Sequence, residues 1–87
     1  MNLKAFRGKI DKADKEIIRL IARRQSYAPA IAKIKKKIGA SVLQPRREAE
    51  VLASRQMFAK KHGLNTKLIR NIFILILKDS RRIQGRS

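Results

Sequence analysis

The sequence predicts an all-α chain of three helices, the first of them very long. Three observations lead there. Only four Gly and two Pro interrupt the 87 residues. No segment sustains a period-two alternation of apolar and polar residues, and aliphatic side chains recur at steps of three and four. The length allows one domain, residues 1–87, and a lone domain of this size buries only about 60% of its unfolded surface.

The first helix starts near Leu3 and runs to Ile38, where Gly39 stops it. At 1.5 Å per residue it would measure about 54 Å, against a radius of gyration near 12 Å for a compact domain of this length. It therefore overhangs its own domain, and a second copy of the chain is the simplest cover. Pro29 interrupts the helical pattern, removing one backbone donor and crowding the preceding turn. Because the pattern resumes in phase, a kink is expected there rather than a break. A loop from Gly39 to Gln44 leads to Pro45, which suits a first turn. The second helix then runs to about His62, with Gly63 as its stop. Asn65 caps a third helix that extends to about Gln84. Its centre, Ile72-Phe73-Ile74-Leu75-Ile76-Leu77, is apolar on every side, as expected of an enclosed helix.

Composition narrows the function. Lys and Arg number 23 against 6 Asp and Glu, a formal charge of +17. Such a field attracts nucleic acid, acidic membranes and small polyanions alike. A hydrophobic content of 44% excludes a purely disordered basic tail. The absence of Cys excludes disulfides and thiolate metal sites. No apolar run is long enough to span a membrane, and MNLKAFRGKID lacks a signal-peptide core, so a soluble cytoplasmic protein is expected.

Stepping along the first helix by alternating threes and fours gives Leu3, Arg7, Ile10, Asp14, Ile17, Ile21, Arg24, Ala28, Ile31, Lys35 and Ile38. This is a seam for packing against other helices. Arg7, Asp14, Arg24 and Lys35 intrude on it. They either snorkel to water or line a cavity for an anion, since a buried cation is costly unless paired. Arg24 and Lys35 are three turns apart on one face, about 16 Å along the axis, and long side chains could converge on one metabolite. Arg7 lies about 26 Å from Arg24, so it joins that site only from a second copy. Ser80 and Gln84 share a face of the last helix. Arg47 and Glu48 open the second helix, where Glu48 also suits the helix dipole.

In joint order and spacing these residues resemble the all-helical chorismate mutase family over nearly the whole chain. LKAFRGKIDKADKEIIRLIARR is similar to that family's first helix, AIAKIKKKIG carries its Lys, and LQPRREAEVL resembles its Pro-x-Arg-Glu turn. GLNTKLIRNIFILILKDSRRIQ is similar to its closing helix. The resemblance implies an intertwined homodimer with two sites, each completed by Arg7 of the other chain. It implies rearrangement of chorismate to prephenate without metal or cofactor. Arg7, Arg24 and Arg47 would hold the carboxylates of this dicarboxylate substrate. Lys35 and Gln84 would donate to the ether oxygen, Glu48 would accept from the ring hydroxyl, and Ser80 would fix the ring end. Gln44 stands where many members of the family have Asp, and Pro29 replaces an ordinary helix former.

Two other readings share these residues. An isochorismate pyruvate lyase would need the same carboxylate grip and the same Lys. A basic helical dimer could bind nucleic acid through phosphates, using Lys35-Lys36-Lys37 and the tail from Ser80 to Arg86. Aromatic residues at 5% leave few stacking platforms, and cations inside the seam are unexplained by that reading, so nucleic acid is not the expected partner.

Overall fold

The computed structural model describes residues 2–86; Met1 and Ser87, the two ends of the expected 1–87 domain, lie outside the described residues. It is helical throughout, with no strand among the described residues. The elements are α1 (Leu3–Ser26), α2 (Ala28–Ile38), α3 (Pro45–Lys61) and α4 (Thr66–Gln84).

The long first helix is present as a 36-residue run, divided at Tyr27 into α1 and α2. Four helical segments thus stand where three were expected, and Pro29 is the reason. Its missing N–H deprives the turn before it of a hydrogen bond. The interruption is local, as the expected kink implied. Tyr27 keeps helical dihedrals (φ −81°, ψ −15°), and its carbonyl accepts from Ile31 at 3.1 Å. The run starts at a cap the sequence reading left unassigned: Asn2 Oδ1 accepts from the Ala5 N–H at 2.9 Å.

The other boundaries fall where local chemistry puts them. Gly39 (φ 70°) and Gly63 (φ 68°) adopt the left-handed conformation that ends a helix at little cost. Pro45 opens α3. Asn65 Oδ1 accepts from Lys67 and Leu68 N–H at 3.0 and 3.1 Å and so caps α4.

The core is small. α3 and α4 form a hairpin, α2 lies against α4, and the buried apolar residues are Ala28, Ala32, Val51, Ala59, Ile76 and Leu77. No residue of α1 is buried. The molecule extends 56 Å along its long axis with a radius of gyration of 16.1 Å, well above the compact value, so α1 overhangs as the sequence required. Leu3, Phe6, Ile10 and Ile17 form an exposed stripe along it. Within a single chain α4 is covered only in part. Ile76 and Leu77 are buried, but Leu68, Ile72 and Leu75 form a second exposed apolar row. The chain covers α4 mainly from the side of α2 and α3.

Candidate active site

A cleft of about 460 Å³ opens between the end of α1, α2, the 39–44 loop, the start of α3 and the end of α4. Each element reaches it for a local reason. The reversal at Gly39 is locked by the Ala40 N–H bonding Lys35 O at 2.8 Å, and it turns the loop back over α2. Lys35 Nζ then donates to Val42 O at 2.7 Å. The same Nζ donates to Gln84 Oε1 at 2.7 Å. On α4, the steps of three and four from Leu77 through Ser80 and Arg81 to Gln84 put all four on the cleft side. Gln84 Nε2 donates to Ser80 Oγ at 3.1 Å. At 7% exposure Gln84 is the one buried polar residue among those described, and both ends of its amide are satisfied.

The structure brings six of the seven expected site residues together. Arg24, Lys35, Arg47, Glu48, Ser80 and Gln84 all line the cleft. Arg7 does not: it lies exposed on α1, as does Asp14 of the seam. Gln44 also lines the cleft, where its amide donates to Ser41 O at 2.9 Å within its own loop.

Arg81 was missed as a site residue. It lines the cleft and donates through a guanidinium nitrogen to Glu48. Its spacing, four after Leu77 and three before Gln84, placed it on the right face. Its membership of a basic tail obscured that. The pairing of Arg81 with Glu48 and of Arg82 with Asp79 engages two of the cations on which the nucleic-acid reading relied.

The cleft is electropositive by construction. Burial, then the nearby charges of Arg55 and Arg47, pull the Arg24 guanidinium below its usual range. Among the described residues no carboxylate pairs with Arg24, Lys35 or Arg47, and Glu48 is committed to Arg81. Three cations with no internal counter-ion, two of them half-buried, form a site that an anionic ligand would complete.

Comparison with known proteins places the chain in a family. The family model described as chorismate mutase type II matches residues 6–85. The chain is similar to the chorismate mutase of Methanocaldococcus jannaschii, 30% identical over 82 residues, covering 94% of this chain and 83% of that one. It is also similar to the T-protein of Haemophilus influenzae, 32% identical over 78 residues, 90% of this chain but 21% of that protein. A bifunctional chorismate mutase/prephenate dehydratase of Buchnera aphidicola is 38% identical over 78 residues, 90% and 21% of the two chains. The chain thus spans about a fifth of the length of the latter two relatives.

Proposed function

The chain belongs to the chorismate mutase type II family, and from that premise we propose that it rearranges chorismate to prephenate at this cleft, as an intertwined homodimer and without a metal or cofactor. The observation that carries the reading is the set of cations with no internal carboxylate, gathered around a Lys35–Gln84 pair that is already locked.

The chemistry follows from which donors remain available. Arg24 and Arg47 grip the substrate carboxylates and fold the enolpyruvyl arm over the ring, which removes most of the entropic barrier to a one-substrate rearrangement. Lys35 has three N–H donors. Two are spent on Val42 O and Gln84 Oε1, and the third meets the ether oxygen. Gln84 Nε2 spends one proton on Ser80 and keeps one for the same oxygen. As the C–O bond breaks, negative charge grows on that oxygen, so both contacts strengthen toward the transition state. Because these donors are held before substrate arrives, little reorganisation is needed. Glu48 accepts from the ring hydroxyl with the oxygen that Arg81 leaves free, and the Ser80 hydroxyl contacts the ring end.

Dimerisation supplies what one chain lacks. The exposed stripe on α1 and the exposed row on α4 are apolar faces of matching kind. The stripe carries Arg7 beside it, too far from the cleft of its own chain to reach it. A second copy laid along α1 covers both faces and delivers its Arg7 to the cleft.

The test is to mix purified protein with chorismate, follow loss of its ultraviolet absorbance, and identify the product by chromatography. Prephenate is expected. An inert chorismate sample alongside pyruvate release from isochorismate would replace this reading with the lyase. Inertness toward both would refute catalysis at the cleft. The names of the Methanocaldococcus jannaschii and Buchnera aphidicola relatives, both chorismate mutases, favour the first outcome.

A further inference from the structure

Gln25 follows Arg24 in sequence and takes no part in the chemistry above. Its amide is nevertheless engaged at both ends. Oε1 accepts from Arg24 Nη1 at 3.0 Å. Nε2 donates to Ile76 O at 3.0 Å and to Asp79 Oδ2 at 3.1 Å. Asp79 is held in turn by Arg82, whose Nε donates to Oδ1 at 2.8 Å. The amide has only one sensible orientation, because a donor faces one end and acceptors face the other.

We propose that Gln25 is a positioning residue: it ties the Arg24 guanidinium to α4 and so holds it in the cleft, ready for a substrate carboxylate. The proposal rests on the gripping role assigned to Arg24 above.

Three features of the site call for such an anchor. Arg24 is half-buried, and burial first, then repulsion by Arg55 and Arg47, disfavours its charged form. No carboxylate among the described residues offsets that repulsion. Left to itself, the guanidinium would swing toward water before substrate arrived. The anchor must also be neutral. A carboxylate in the place of Gln25 would hold Arg24 more tightly, but would cancel the charge the substrate is meant to find. An amide holds the group and leaves its charge intact. Finally, the fixed end of the tether is well chosen, because Ile76 belongs to the buried turn of α4. The tether also crosses from α1 to α4 just ahead of the interruption at Tyr27, where the helix itself is least able to fix its last turn.

The experiment is a double-mutant cycle in the full-length chain. Gln25→Leu is expected to lower kcat/KM for chorismate about tenfold, as loss of one hydrogen bond to a charged group would. In an Arg24→Ala background the same change is expected to cost less than about twofold, since the group it positions is gone. Unchanged kcat/KM in Gln25→Leu, or equal losses in both backgrounds, overturns the proposal. Should Gln25→Leu fail to fold, Asp79→Ala carries the same cycle from the other end of the tether, with an expected loss of about threefold and the same overturning result. A second readout needs no substrate. In nitrogen-15 arginine spectra, rotation of the Arg24 guanidinium is expected to be hindered in the parent and free in Gln25→Leu. A parent chain inert to chorismate that still shows this contrast refutes the mutase reading and upholds the anchor. Free rotation in the parent refutes the anchor itself.

Discussion

Replacing Lys35 with Ala separates catalysis from stability at this site. The change deletes the ammonium that donates to Val42 O and Gln84 Oε1, each at 2.7 Å. On the stability side, the main loss falls on Gln84, buried to 7% exposure and left without its donor. An orphaned buried acceptor costs about 1–3 kcal/mol. The deleted side chain leaves a path from the open cleft, so water can take up the bond and the cost falls near the lower end. About 1 kcal/mol corresponds to a fall of about 4–8 °C in the unfolding midpoint for a domain of this size. On the catalytic side, losing one donor to the developing oxyanion typically costs about 10²–10³ in kcat, or about 2.7–4 kcal/mol. The assay is chorismate consumption with thermal unfolding followed by circular dichroism. The expected variant is folded, a few degrees less stable and nearly inactive. Lys36→Ala, on the exposed neighbouring residue, is the control and should leave both quantities almost unchanged. Turnover in Lys35→Ala within tenfold of the parent would refute the role given to Lys35.

Two further outcomes are expected. Arg7→Ala and Arg24→Ala should each keep only a small, measurable residue of activity alone, yet mixing them in equal amounts and allowing exchange should restore about a quarter of parental activity, because half the dimers then carry one intact site of two; no recovery despite confirmed exchange would place Arg7 outside the partner's cleft. Asn65→Ala removes the acceptor for the Lys67 and Leu68 N–H groups and should cost about 1 kcal/mol of stability with kcat unchanged, measured by denaturant titration and the chorismate assay.

Much of this molecule was legible in its sequence because the relevant signals are local. Gly39, Pro45, Gly63 and Asn65 act on the backbone within a few residues, and each marks a helix boundary where the structure has one. The seam positions Arg24 and Lys35 were legible because a cation on an apolar helical face is a local anomaly. Contacts between distant segments were not. The Arg81–Glu48 pair joins residues 33 apart, and the Gln25–Asp79 bond joins residues 54 apart. No periodicity within one helix announces such partners. The apolar run in α4 was legible as a demand for cover on every side, but only the packing shows which rows the chain leaves bare. Pro29 was read as a perturbation, and the structure limits it to Tyr27.

The bareness of α1 has a thermodynamic consequence. A helix that buries none of its 24 residues draws almost nothing from the hydrophobic effect within its own chain. Its own hydrogen bonds and its cap leave a water-exposed helix of that length only marginally ordered. Whatever covers the stripe therefore supplies much of the free energy that keeps the helix formed, and that free energy obeys mass action. The midpoint of thermal unfolding should rise with protein concentration. On dilution, helical circular dichroism should be lost from the α1 arm before the α3–α4 hairpin melts. In the proposed homodimer, order in the longest element of this fold becomes a matter of concentration, set by how many copies of the chain are present as much as by the sequence of any one.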